Sequence, residues 1–149
     1  MLTAQPLTST VAALYRKTVN AQPPADRKSQ PLALIIDDDP YLSKVICSLL
    51  KLDQYKCKVA PTGSQGLQAM ARSRPDVVLL DLLLPDMDGF EVITRMRKIS
   101  DTPILVITAL PVMQNKSRAL ELGANDYLSK PFEIDALIGK VKALTQRQA

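Results

Sequence analysis

The stretch Leu32-Ala33-Leu34-Ile35-Ile36-Asp37-Asp38-Asp39-Pro40 decides the fold. Its five apolar residues run without alternation, as in a parallel strand covered on both faces. Three aspartates end the run. Pro40 then opens a segment with apolar residues at 42, 45, 46, 49 and 50, the stripe of an amphipathic helix. Asp39, directly before Pro40, fits the N-cap of that helix.

The same alternation of strand and helix continues to the far end of the chain. Residues 55–59 read as a second, more polar strand, with Lys56 and Lys58 alternating against apolar neighbours. Thr62 fits the cap of a short helix marked by Leu67 and Met70. Residues 77–80 form a buried strand that ends at Asp81, and Asp88 caps a third helix carrying Phe90, Ile93 and Met96. Pro103 introduces a fully apolar strand over 104–107, and a helix through Arg118 and Leu122 stops at Gly123. Residues 124–128 make a fifth strand, and apolar positions 134, 137, 138, 141 and 144 define a last helix. Five β–α units in succession predict an α/β domain over 31–147, with a doubly wound, five-stranded parallel sheet and helices on both faces. Residues 1–30 carry Pro6, Pro23 and Pro24 with many Thr and Gln, and read as a flexible N-terminal extension or a segment that orders on a partner.

Composition narrows the function. The chain has 149 residues, 46% of them hydrophobic and 23% charged, which suits one globular domain. The net charge of +4 is unevenly placed. Residues 1–30 hold four basic groups against one acid, whereas the remainder holds fifteen against fourteen. A nearly neutral main domain argues against direct nucleic-acid binding. Histidine is absent, which removes Ser-His-Asp and Cys-His catalysis. Cys47 and Cys57 are too few for a tetrahedral zinc site; in apolar surroundings they are expected to be buried structural thiols, which fits a reducing compartment. No apolar run approaches the ~20 residues that span a bilayer. A cytoplasmic chain without membrane insertion is the expectation.

In sheets of this kind the functional crevice lies beyond the carboxyl ends of the strands. Asp37, Asp38 and Asp39 follow the first strand, Asp81 the third, Thr108 ends the fourth, and Lys130 follows the fifth. Carboxylates so gathered repel one another unless a cation sits between them, and an all-oxygen donor set points to Mg²⁺. With neither His nor a nearby Cys, the candidate nucleophile is a carboxylate, Asp81, forming an aspartyl phosphate. Lys130 and Thr108 would then supply donors to the phosphoryl oxygens.

Four pieces in order now carry a resemblance: Ile35-Ile36-Asp37-Asp38-Asp39, the run from Leu79 through Asp81 to Gly89, Ile107-Thr108-Ala109, and Tyr127-Leu128-Ser129-Lys130-Pro131-Phe132. Over about residues 31–147 the chain resembles the receiver domain of two-component response regulators, of the CheY-like type on the flavodoxin-like fold. The resemblance implies Asp81 as phosphoacceptor, Asp38 as a direct Mg²⁺ ligand, Asp37 acting mainly through metal-bound water, and Leu83 offering its backbone carbonyl. It implies Thr108 as the hydroxyl that moves toward the phosphate, with Ala109 leaving room for it. Lys130 would pair with the phosphoryl group, ahead of an often cis Pro131, and Tyr127 would be the aromatic rotamer switch. The implied partners are a sensor histidine kinase or phosphotransfer protein and a downstream protein target. The signal would be read on the surface of the fourth helix, fifth strand and fifth helix.

Almost nothing follows residue 147, so the expectation is a stand-alone receiver without an output domain. Such a chain is a phosphoacceptor rather than an enzyme, showing at most autophosphorylation from small donors and slow self-dephosphorylation. Leu83 and Leu110, which would flank the phosphate, are both apolar and cannot orient a hydrolytic water. An aspartyl-nucleophile phosphatase is the competing class, but it wants a second carboxylate where Leu83 stands. A flavin carrier on the same fold class would need a Ser/Thr/Gly-rich phosphate loop where the three aspartates are.

Overall fold

The computed structural model describes residues 30–146. The expected extension, apart from Gln30, and position 147 lie outside the described residues. The elements are β1 (Leu32–Ile36), α1 (Pro40–Leu52), β2 (Lys56–Ala60), α2 (Gly63–Ser73), β3 (Val77–Leu80), α3 (Gly89–Arg97), β4 (Ile104–Thr108), α4 (Val112–Leu122), β5 (Asp126–Ser129) and α5 (Ile134–Gln146). The strands form one parallel sheet in the order β2-β1-β3-β4-β5, the expected doubly wound architecture. No helix among the described residues is long and apolar enough to cross a membrane.

Period-two geometry explains why the central strands are apolar throughout. Leu34, Ile36, Val78, Leu80, Ile104 and Val106 pack on one face with Met70 of α2, Phe90, Ile93 and Met96 of α3, and Ala119 of α4. Ala33, Ile35, Val77, Leu79, Leu105 and Ile107 pack on the other with Ile46 and Leu50 of α1 and Leu137, Val141 and Leu144 of α5. Each such Leu, Ile or Val, fully buried, contributes about 1.5–3 kcal/mol. β2 is an edge strand, and its exposed Lys56 and Lys58 discourage pairing with another chain.

The caps fall where the sequence places them. Asp39 accepts the N–H groups of Tyr41 and Leu42, Thr62 that of Gln65, and Asp88 that of Phe90. Boundaries shift at two strands. Tyr55 is buried, but its N–H donates to Leu50 O, so β2 starts at Lys56, whose N–H reaches Pro31 O. Asn125 uses its side-chain oxygen to accept the Ile104 N–H, delaying β5 to Asp126. The fourth helix does end before Gly123, at φ +121, but its first turn is broken by non-helical Met113 and Gln114.

The cysteines require a correction. Rather than two separate buried thiols, Cys47 of α1 and Cys57 of β2 form a disulfide, with Cα atoms 5.7 Å apart. Each is only partly buried. The helical period that sends Ile46 and Leu50 inward leaves Cys47 at the rim of the layer, where the edge strand returns beneath it. A reducing compartment therefore no longer follows from these residues.

Gly89 shows what fixes the β3–α3 connection. A Cβ there would lie 2.3 Å from Leu82 Cα and 2.8 Å from Leu82 O, both backbone atoms that cannot yield easily. Gly139, exposed in the interior of α5, has nothing within 4 Å of such a Cβ. Gly89→Ala is expected to cost about 2–3 kcal/mol by urea unfolding, and Gly139→Ala to add about 0.5–1 kcal/mol. Equal effects at the two sites would refute this reading of the close approach.

Candidate functional site

β1 and β3 are neighbours, yet β1 leads into α1 on one face and β3 into α3 on the other. The strand order reverses here, which opens a crevice at their carboxyl ends. Ile36 pairs with Leu80, so the next residues, Asp37 and Asp81, emerge side by side. Their backbones remain tied to the sheet, Asp37 N–H to Ala60 O at 3.1 Å and Asp81 N–H to Ile36 O at 2.9 Å. Both side chains are buried, whereas Asp38 is exposed.

Two buried carboxylates at this separation need a counter-charge. Lys130 provides it. Its backbone N–H donates to Thr108 O, and its Nζ donates to Asp37 Oδ2 at 2.8 Å and Asp81 Oδ2 at 2.9 Å. The second oxygens are held alike: Asp37 Oδ1 accepts the Asp39 N–H, and Asp81 Oδ1 the Leu83 N–H, each two residues on. Burial by itself would lower the pKa of the Lys130 ammonium. Its hydrogen bonds to Asp37 and Asp81, with their charges, outweigh that and hold it above the ordinary lysine value. The Lys130–Pro131 peptide is cis.

Asp37, Asp38 and Asp81 each offer a carboxylate oxygen within 4.8 Å of the others. Opposite ligands of an octahedral Mg²⁺ stand about 4.2 Å apart, twice a bond of ~2.1 Å, so the cluster suits such an ion with some links through water. Asp37, with one oxygen on Lys130 and the other on a backbone N–H, suits a water-mediated link. The Leu83 backbone sits at the same turn, and the residue is 51% exposed.

Thr108 and Tyr127 come to the same sheet edge in different ways. Thr108 is fully buried, and its Oγ1 accepts the Leu110 N–H at 3.4 Å. Among the described residues its hydroxyl bonds neither Asp81 nor Lys130. The register explains this: Leu80 pairs with Val106, so Thr108 stands one step beyond the level of Asp81. The Tyr127 ring is buried, and its hydroxyl donates to Leu110 O at 3.0 Å and more weakly to Pro111 O at 3.4 Å. Burial pushes the Tyr127 phenol up, and the charge of Asp81 adds to the effect.

Other anchors were not evident from the sequence. Asp86 belongs to the turn, as its spacing suggests, but its carboxylate also accepts the N–H groups of Gly63 and Ser64 at the start of α2. These bonds, Ser64 first, hold its pKa below the ordinary carboxylate value. Arg97 donates to Gly123 O, Ser100 O and Asn125 Oδ1, fastening α3 to the α4–β5 turn. The Arg118 guanidinium of α4 lies 4.0 Å from the centre of the Phe90 ring. Apart from Ser100, three residues from Arg97, these partners are 22 to 28 residues apart, beyond what local periodicity can show. Beside Asp81, residues 82–88 with Phe90 and Leu110 line an open cleft of about 460 Å³.

A parallel sheet in 2-1-3-4-5 order, with an acidic cluster at its switch point and a lysine from the β5 end, defines the CheY-like class of doubly wound α/β folds. The family is then shown directly: the response regulator receiver domain model matches residues 33–142, and the chain belongs to that family. It is 39% identical over 120 residues to the DNA-binding dual master transcriptional regulator RpaA of Synechocystis sp., covering 78% of this chain and 50% of that protein. It is 38% identical over 111 residues to the uncharacterized transcriptional regulatory protein YkoG of Bacillus subtilis, covering 74% of this chain and 49% of that one. The chain thus spans about half the length of the curated relatives it matches. Among solved structures, the receiver domain of Francisella response regulator 1452 superposes with a TM-score of 0.77 at 32% identity, covering 80% of this chain and 100% of the other.

The raised pKa of Lys130 gives a signed prediction. Its pairing contributes stability that is complete below the unfolded lysine value and is lost as pH rises through the folded one. The stability lead of the native chain over Lys130→Met, read by urea unfolding, should hold from neutral pH to the ordinary lysine range and shrink above it. A lead that grows there would contradict the pairing.

Proposed function

We propose that this chain is the phosphoacceptor of a two-component relay, taking a phosphoryl group on Asp81 from the phosphohistidine of a sensor kinase or phosphotransfer protein. The observation that carries the reading is the Lys130 ammonium bridging the buried Asp37 and Asp81 at the sheet's switch point. An Asp81 carboxylate oxygen attacks phosphorus in line, the O–P bond forms as the P–N bond breaks, and the histidine ring leaves. Asp38 and Asp81 would hold Mg²⁺ directly, Asp37 through water, and Leu83 through its carbonyl. Bound there, the ion neutralises the charge of the transferring oxygens. Lys130 is placed to turn from its carboxylates to the new phosphoryl oxygens, and Thr108 has one strand step to close.

The read-out would be a population shift around α4, β5 and α5. Two features support this. Ala119 is the one fully buried residue of α4, and its first turn already departs from helical geometry. Tyr127 bonds the carbonyls just ahead of that turn, so withdrawal of its ring would release them. Protein contacts rather than direct nucleic-acid binding are favoured by the near-neutral charge after residue 30. Acting as a stoichiometric acceptor rather than a turnover enzyme fits an apolar residue at position 83, where a hydrolase would place an acid.

Incubation with a small phosphodonor and Mg²⁺ should add one phosphate to the native chain by intact mass, and none to Asp81→Asn. A native chain left unmodified by every donor and kinase would falsify the assignment. The cleft beside Asp81 presents only apolar side chains at 83 and 110, so the acyl phosphate is expected to be long-lived. Leu83→Asn, which can orient water, should shorten its half-life several-fold; unchanged decay counts against the idea.

A further inference from the structure

We infer that Cys47 and Cys57 are a reversible thiol–disulfide pair that, when oxidised, staples α1 to the edge strand β2. The inference stands on placement and does not rest on the phosphoacceptor reading. The two Cα atoms are 5.7 Å apart, within the range a disulfide spans without backbone movement. They are the chain's only cysteines, so no other intramolecular pairing competes. Both lie at the rim of the α1–α5 side of the core, packed against its buried residues but not among them. Reduced, they remain small apolar side chains that pack in the same place. The apolar layers on both faces of the sheet then keep the fold without the covalent link.

Access and charge favour exchange in the folded state. Neither cysteine is fully buried, and β2 pairs with the sheet only through β1. Exposed Lys56 and Lys58 flank Cys57 and would attract an acidic thiol peptide such as glutathione. The chemistry balances as two exchange steps. One cysteine thiolate attacks the partner disulfide, forming a mixed disulfide and expelling one partner thiolate. The other cysteine thiolate then attacks that mixed disulfide, closing the Cys47–Cys57 bond and expelling the second. The pair loses two protons and two electrons, and the partner disulfide leaves as two thiols.

The stapled elements are those that seat the acidic cluster. The last residue of β2, Ala60, accepts the Asp37 N–H, and Asp39 caps the start of α1. The bond closes a short loop, with a sequence separation of 10. By chain-entropy scaling, that raises the melting temperature by roughly 10 °C over the reduced form.

To test this, the full chain is equilibrated in glutathione buffers from fully reduced to fully oxidised, quenched in acid, alkylated with iodoacetamide and weighed intact. Two labels per chain are expected at the reducing end and none at the oxidising end. Circular dichroism should be native-like at both ends, and hydrogen exchange over residues 47–59 faster in the reduced form. Two labels at every ratio would overturn the pair, and so would labels that appear only after denaturant is added. Equal hydrogen exchange in the two redox states would overturn the staple. Cys47→Ser and Cys57→Ser, each left with one thiol, should show the faster hydrogen exchange of the reduced form in either buffer. Should either variant fail to fold, the labelling of the native chain decides by itself.

Discussion

The Lys130 ammonium between Asp37 and Asp81 is the interaction on which this structure turns. Without it, two carboxylates on neighbouring strand ends would be buried side by side, at a cost of several kcal/mol. With it, the end of β5 is fastened to the ends of β1 and β3, across β4, by side chains rather than by backbone ladder. The pairing also explains why the site is held ready: every oxygen of the two buried acids already has a donor. A phosphoryl group and its metal would replace those donors rather than fill a void.

Much of this was legible in the chain itself. Continuous apolar runs ending in Asp37, Asp81 and Thr108 pointed to the parallel sheet and to the edge where its polar residues gather, because central strands buried on both faces leave no position for polar residues except the ends. Caps at Asp39, Thr62 and Asp88 were equally readable, since each bonds an N–H two or three residues away. What escaped depends on tertiary approach. The delayed start of β5 follows from the Asn125 side chain taking the place of a backbone acceptor. The Cys47–Cys57 bond follows from the rim position of one helical residue above a returning edge strand. The gap between the Thr108 hydroxyl and Asp81 is a matter of one register step, which strand boundaries cannot reveal.

The helices divide into firm and loose. α1 and α5 bury two or three large apolar residues each against the sheet, and α3 buries four, but α4 buries only Ala119. Its remaining attachments are the partly buried Leu122 against the core, Arg118 over Phe90, and the Tyr127 hydroxyl on the carbonyls before its first turn. An element held this way moves at small free-energy cost.

The span of the lysine contact has a consequence for biosynthesis. Lys130 lies 93 residues from Asp37 and 49 from Asp81, and β5 joins the sheet only through β4. No fragment that ends before β5 can assemble the bridged acid pair. A chain emerging from the ribosome thus lacks the counter-charge until β5 has docked. The bridged acid pair is therefore a mark that β5 has docked.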